Sequence, residues 1–200
     1  MAKQVSVGVG GLVMRVIAGQ FKSRKLRTLR GIATRPTSDK LRETLFDILG
    51  ATVEGSVLVD LFAGTGAVGI EAISRGAERA VFVERYAPAA ELIRENMKSL
   101  GIGSQGEILK MDAMRGLEKL AAQRSSTDFI FLDPPYAHAN EYKEVLEFIG
   151  ASVLLSAGGL VIAEHARKVE LPLFAEALER RRVVVQGDSA LSFYRMAKAA

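Results

Sequence analysis

The 200-residue chain contains no cysteine. That excludes a disulfide framework, thiolate metal sites and a cysteine nucleophile. With only 2 histidines, no metal site is expected. No apolar run approaches the ~20 residues a membrane span needs, so no membrane association is expected. Residues 1–13 are Gly-rich, with one lysine and no apolar core of signal length. They read as a flexible lead rather than a secretory signal, with Met14 a possible alternative start and the cytoplasm the expected location. What is present is an ordinary globular composition, 48% hydrophobic and 25% charged. The length suits roughly one domain with room for a small appendage.

Charge is unevenly placed. The whole chain carries a net +4. Residues 1–50 hold 10 basic and 3 acidic residues, whereas residues 51–200 hold 17 basic and 20 acidic. A basic appendage on a slightly acidic body fits a polyanion partner reached through the N-terminal segment. A solvated basic face fits the same numbers.

The periodicity changes along the chain. Met14–Gly19 and Phe21–Leu29 read as two short strands able to pair as a hairpin. Arg35-Pro36-Thr37-Ser38 then opens a helix whose stripe is Leu41, Leu45, Ile48 and Leu49, ended by Gly50. From residue 57 short apolar runs alternate with helical stripes. Strands are expected at Val57–Phe62, Ala80–Glu84, Glu107–Met111, Asp128–Asp133 and Gly159–Glu164. Helices are expected at Ala67–Arg75, after Pro88, at Glu141–Ile149 and at Pro172–Glu179, with Gly116 weakening one more. Arg182–Val185 and Leu191–Met196, bridged by Gly187-Asp188, read as a closing antiparallel pair. Alternating strands and helices imply an α/β fold with a mostly parallel sheet. The expected division is 1–13 lead, 14–50 basic hairpin and helix, and 51–200 main domain.

Chemistry concentrates at the expected strand ends. Gly64, Gly66 and Gly69 satisfy G-x-G-x-x-G behind the first buried strand, a pattern that serves a dinucleotide site or a tight structural turn. Asp60 discriminates. A carboxylate there repels a pyrophosphate and pairs with a cationic ligand group. It therefore favours S-adenosylmethionine, which carries a sulfonium and an ammonium, over NAD. Glu84 ends the second strand, where an acid can accept from both ribose hydroxyls or sit as a solvated charge. Asp112 could accept from an adenine amino group beside the Ala113 N–H, or simply cap the next helix.

Asp133-Pro134-Pro135-Tyr136 is the sharpest pattern. The prolines leave carbonyls free, Asp133 adds an acceptor, and Tyr136 offers a ring on which a base can stack. Such a site suits an exocyclic amino group on a planar base, with Asp133 favouring positive charge on its nitrogen. The competing reading is a rigid turn. His138 reads as a surface loop residue and His165 as a strand-end residue. Phe193-Tyr194-Arg195 fits core packing with an edge arginine at least as well as nucleic-acid contact.

Three segments taken together carry a resemblance. They are Arg35-Pro36-Thr37-x-Asp39-x-x-Arg42-Glu43-Thr44-Leu45-Phe46, then Asp60-x-Phe62-Ala63-Gly64-x-Gly66-Ala67-x-Gly69-x-Glu71-Ala72, then Asp133-Pro134-Pro135-Tyr136. From Met14 to about Met196 the chain resembles the bacterial 16S ribosomal RNA guanine-N2-methyltransferase family of the RsmD type. The resemblance implies a class I Rossmann-like methyltransferase fold, a seven-stranded, mostly parallel sheet with an antiparallel last strand. It also implies a small N-terminal hairpin extension that grips RNA. The implied activity is S-adenosylmethionine-dependent methylation of a guanine N2 amino group in 16S rRNA. The partner would be that RNA or the small ribosomal subunit, and the enzyme a monomer. The cofactor set would be Asp60, Phe62, Ala63, Gly64, Gly66, Glu84, Asp112 and Ala113. The catalytic set would be Asp133, Pro134, Pro135 and Tyr136. RNA would be held by Arg24, Lys25, Arg27, Arg30, Arg35 and Arg42. A DNA adenine-N6 methyltransferase shares the Asp-Pro-Pro-Tyr motif, and a catalytically silent RNA-binding module is a further alternative.

Overall fold

The computed structural model describes residues 14–29, 39–134 and 139–197. The lead over residues 1–13 and the Arg35–Ser38 helix opening lie outside the described residues. Met14–Arg15 (β1) pairs antiparallel with Lys25–Leu26 (β2) as a separate two-stranded sheet. Asp39–Leu49 follows as α1. Gly50 does not stop the chain's coiling outright, because residues Gly50–Val53 form a 3-10 turn.

The body then runs β3 (Val57–Asp60), α2 (Ala67–Ser74), β4 (Arg79–Val83), α3 (Ala87–Leu100), β5 (Gly106–Leu109), α4 (Ala113–Ala122), β6 (Thr127–Leu132) and α5 (Ala139–Ala151). Pro88 occupies the first turn of α3, where its missing N–H is harmless, and Gly101 ends it at φ 73°. α4 forms despite Gly116, which lets the helix press onto β4: a Cβ there would lie 2.7 Å from Val83 Cγ1.

After α5 come β7 (Leu155–Ala166), β8 (Phe174–Ala175), β9 (Leu178–Gln186) and β10 (Ser189–Met196). The helix expected over Pro172–Glu179 is therefore wrong. The chain reverses there through Glu176 at φ 51°, and β8 pairs antiparallel with β9. Its Ala, Glu and Leu content favours a helix, but pairing along the open edge of β9 overrides that weak preference.

The main sheet has the order β5-β4-β3-β6-β7-β10-β9-β8. The first five strands are parallel, and β10 inserts antiparallel between β7 and β9. Among the described residues the sheet thus has the expected seven strands and antiparallel last strand, plus an eighth, β8, at the edge. Strand order reverses between β3 and β6, the position at which open α/β sheets bind ligands at their carboxyl ends.

One face of the sheet packs Leu58, Phe129, Phe131 and Ile162 against Leu41, Leu45, Phe46 and Leu49 of α1 and Val68 and Ala72 of α2. The other face packs Val59, Ile130, Leu132 and Val161 against α4 and α5. Met14, Val16 and Leu26 of the hairpin join Ile70, Phe82, Ile93 and Met97 in a third cluster. Burying a side chain the size of Phe46 or Phe82 contributes about 1.5–3 kcal/mol. No helix among the described residues is long and apolar enough to cross a membrane.

Candidate active site at the strand ends

Side chains alternate along a strand, so residues two apart share a face. Asp60 lies two beyond Leu58, Asp133 two beyond Phe131 and Glu164 two beyond Ile162. Leu58, Phe131 and Ile162 all face α1 and α2. The register pairs Asp60 with Phe131 and Leu132 with Ala163, which sets Asp133 beside Glu164. Three carboxylates therefore meet at the carboxyl ends of β3, β6 and β7.

Asp60 is fully enclosed, and Oδ2 accepts from the Gly69 N–H at 3.4 Å. Burial, with smaller contributions from Glu84 and Glu164, pushes its pKa from 3.8 up to about 7. Asp133 is held well above the usual carboxylate range by burial first, then by Glu164 and Asp60. Its carboxylate accepts no hydrogen bond from any described residue. No group of potential ligands among the described residues is arranged to hold a metal ion.

The glycine turn uses several of its own backbone donors internally. Gly64 N–H donates to Glu84 Oε2 at 2.9 Å, and Gly66 N–H donates to Ala63 O at 2.6 Å. Gly69 N–H, in the first turn of α2, points at Asp60. Three of the backbone donors a pyrophosphate would use in a dinucleotide site, those of Gly64, Gly66 and Gly69, are thus engaged by the protein's own acids and a carbonyl. Gly66 has φ 77° and starts α2. Gly69 lets α2 sit on β4, since a Cβ would fall 2.3 Å from Phe82 Cε1.

Phe62 and Ala63 lead into this turn, with Ala63 N–H donating to Val83 O at 3.2 Å. Glu84 directly follows β4, and its other oxygen accepts from Tyr86 N–H at 2.7 Å. Asp112 caps α4 through the Arg115 N–H at 3.0 Å, beside Ala113. The fold thus brings Asp60, Phe62, Ala63, Gly64, Gly66, Glu84, Asp112 and Ala113 to the carboxyl-end side of the sheet with Asp133 and Pro134. Pro135, Tyr136 and His138 lie outside the described residues.

Arg24, Lys25 and Arg27 are exposed on the hairpin. Arg24 Nη2 donates to Ser99 O at 2.9 Å, and Arg27 Nη1 pairs with Glu95 at 2.7 Å. Arg30 and Arg35 lie outside the described residues. Arg42 corrects the expected RNA set, because its side chain is 0% exposed. Nη2 donates to Arg15 O at 2.6 Å and to Asp39 Oδ1 at 3.0 Å, and Nε lies 3.8 Å from Glu71 Oε2. Its position on the inner face of α1 turns it into the interior. Burial lowers its pKa, and Glu71 and Asp39 oppose that.

His165 is a buried strand residue, bonded through Nε2 to Ser192 Oγ at 2.8 Å, and burial lowers its pKa. Phe193 and Tyr194 are core residues; the Tyr194 hydroxyl donates to Pro172 O at 2.8 Å, and burial pushes its pKa up to about 12.

Sequence reasoning missed three residues. Glu164 stands behind a buried apolar run, the same position as Asp60 and Asp133. Glu71 is the one acid in the apolar helix Ala67–Ser74. Asn96 sits on the apolar stripe of α3 between Ile93 and Met97. In each case a polar residue on an apolar face was the available signal.

The chain matches the family described as Conserved hypothetical protein 95 over residues 14–195. It is 38% identical over 182 residues to the Bacillus subtilis protein named "Putative rRNA methyltransferase YlbH", covering 91% of this chain and 98% of that one. It is 33% identical to "Ribosomal RNA small subunit methyltransferase D" of Haemophilus influenzae, covering 76% and 78% of the two chains. The solved structure titled "Putative methyltransferase yhhF", from Escherichia coli, superposes with a TM-score of 0.81 at 26% identity, covering 94% of this chain and 99% of that one. The protein thus belongs to the Conserved hypothetical protein 95 family, together with relatives named ribosomal RNA small subunit methyltransferase D.

Proposed function

We propose that the protein is an S-adenosylmethionine-dependent methyltransferase acting on the exocyclic N2 amino group of a guanine in 16S rRNA. The observation that carries this reading is the pair of buried acids Asp60 and Asp133 at neighbouring strand ends, beside a glycine turn in which the Gly64, Gly66 and Gly69 N–H groups are internally engaged. A sulfonium and an ammonium fit that charge, and a dinucleotide pyrophosphate does not. The names of the relatives supply the nucleic-acid class.

Asp60 with the turn Phe62-Ala63-Gly64-Gly66 would hold the cationic end of the cofactor, Glu84 its ribose, and Asp112 with Ala113 its adenine. When bound, the cofactor supplies an electrophilic methyl group. Asp133 and the Pro134 carbonyl accept the two amino hydrogens of the target base, which turns the nitrogen lone pair outward. As positive charge grows on that nitrogen, the Asp133 carboxylate stabilises it. The raised proton affinity of Asp133 then suits it to take the proton the amine releases. Tyr136 would stack on the base, and Arg24, Lys25, Arg27, Arg30 and Arg35 would hold phosphates, orienting the RNA without reading sequence. On this reading residues 14–50 are the RNA-gripping extension of a methyltransferase domain over 51–200. The enzyme works as a monomer in the cytoplasm, where its ribosomal substrate resides.

Labelled methyl transfer to small ribosomal subunits lacking the modification, with the product nucleotide mapped, tests the reading. The expected product is N2-methylguanine at one 16S position. Transfer to duplex DNA in its place would favour the adenine-N6 alternative, and binding of subunits without transfer would leave a silent RNA-binding module.

A further inference from the structure

The hairpin and the glycine turn are joined by one side chain. Asn96, on α3, is 0% exposed. Its Oδ1 accepts from the Arg27 N–H at 2.8 Å. Its Nδ2 donates to Arg27 O at 3.2 Å and to Thr65 O at 3.0 Å. One acceptor and both amide hydrogens are used, a set that Asp, Leu or Ala cannot supply. The Thr65–Gly66 peptide is thereby held from both sides, since Gly66 N–H bonds Ala63 O. Thr65 Oγ1 also reaches back to Met14 Sδ at 3.3 Å, and Met14 pairs with Leu26 in the hairpin. Arg27 in turn carries one of the exposed cations of the basic face.

We propose that Asn96 is a positioning residue that couples the RNA-facing hairpin to the cofactor turn, so that each site's occupancy stabilises the other's geometry. The proposal rests on the methyltransferase reading above. Ligand in the turn orders Thr65, Asn96 transmits that order to the Arg27 backbone, and the coupling is reciprocal by linkage.

Amide hydrogen exchange on the full-length wild-type protein, with and without S-adenosylhomocysteine, tests this without any substitution. The expected result is slower exchange at the Gly64, Gly66 and Arg27 amides, with Arg27 slowed about fivefold or more, the low end of ordinary coupling. Val184 in β9 serves as the unresponsive control. Slowed exchange at Gly64 and Gly66 with an unchanged Arg27 amide overturns the coupling and leaves the cofactor reading intact. No slowing at any of the three, with no calorimetric binding, overturns both.

Asn96→Ala supplies the kinetic arm. KM for S-adenosylmethionine should rise about tenfold while kcat at saturating cofactor stays within about threefold, the pattern of lost binding geometry rather than lost chemistry. A merely structural role would lower thermal stability and active fraction without moving KM, and that result also overturns the proposal. If this variant does not fold, the wild-type exchange experiment decides alone.

Discussion

Among the described residues, two largely buried groups of charged side chains are built on opposite principles. At the strand ends Asp60, Asp133 and Glu164 gather one sign of charge, and the proton affinities of Asp60 and Asp133 rise in consequence. Between α1, α2 and the hairpin, Arg42 meets Asp39 and Glu71, and Arg75 meets Glu71 at 2.8 Å. Glu71 also accepts from the Ile17 and Ala18 N–H groups at 2.8 and 2.9 Å. Arg75 stands 5.0 Å over the Phe46 ring. The second group balances itself and ties three elements together. In the first, burial and neighbouring acids push Asp60 and Asp133 toward the neutral form, and on the proposed reading a cationic ligand group would reverse that. The buried opposite charges join elements of the architecture, and on the proposed reading the buried acids face the cofactor.

The largest way to break this contrast is Glu71→Ala. It leaves Arg42 with Asp39 as its one acid, unpairs Arg75 and strands two hairpin N–H groups, and removing one partner of a buried pair costs about 3–5 kcal/mol. Denaturant unfolding should show that loss, while turnover per folded molecule changes little. An unchanged unfolding midpoint would contradict the structural role.

Asp133→Ala should do the reverse. Losing one preorganised electrostatic partner costs roughly 10²–10³ in rate. Single-turnover measurements should show that loss with cofactor affinity kept within several-fold. Folding stability should hold or rise, because one of three crowded acids is gone. A variant with near-normal turnover would remove Asp133 from the chemistry.

The smallest effect is one of pH and sharpens the comparison. Asp60 has its pKa raised from 3.8 to about 7 in the fold. Its contribution to stability is therefore full below about 4 and is lost as pH rises through about 7. Ionised Asp60 binds a cation better, so affinity for S-adenosylhomocysteine should tighten between pH 6 and 7.5 by up to about tenfold per unit. Ligand-free stability should fall over the same window. Thermal unfolding and calorimetry across that range check both, and Asp60→Asn should flatten both trends. Parallel rather than opposing trends would show that Asp60 does not face the ligand.

Much of this was legible along the chain because it depends on local pattern. Apolar runs with acids at their ends announced β3, β4 and β6 and placed Asp60, Glu84 and Asp133. Pro88 and Gly101 bounded α3. Pro172–Glu179 misled because intrinsic preference is worth only tenths of a kcal/mol per residue, less than pairing along an open strand edge.

Arg42 shows the deeper limit. Its type and its basic neighbourhood are those of a phosphate-binding residue, and Glu71, 29 positions later, gives no local sign of being its partner. Spacing and residue type determined the sheet, the glycine turn and the acids at the strand ends, since a strand or helix declares its face through its own period. Only the tertiary structure decided that Arg42 is enclosed with Glu71, that Glu164 joins Asp60 and Asp133, and that Asn96 spans hairpin and turn. Those are meetings of residues distant in sequence, set by how helices pack on the sheet, and no local period encodes them.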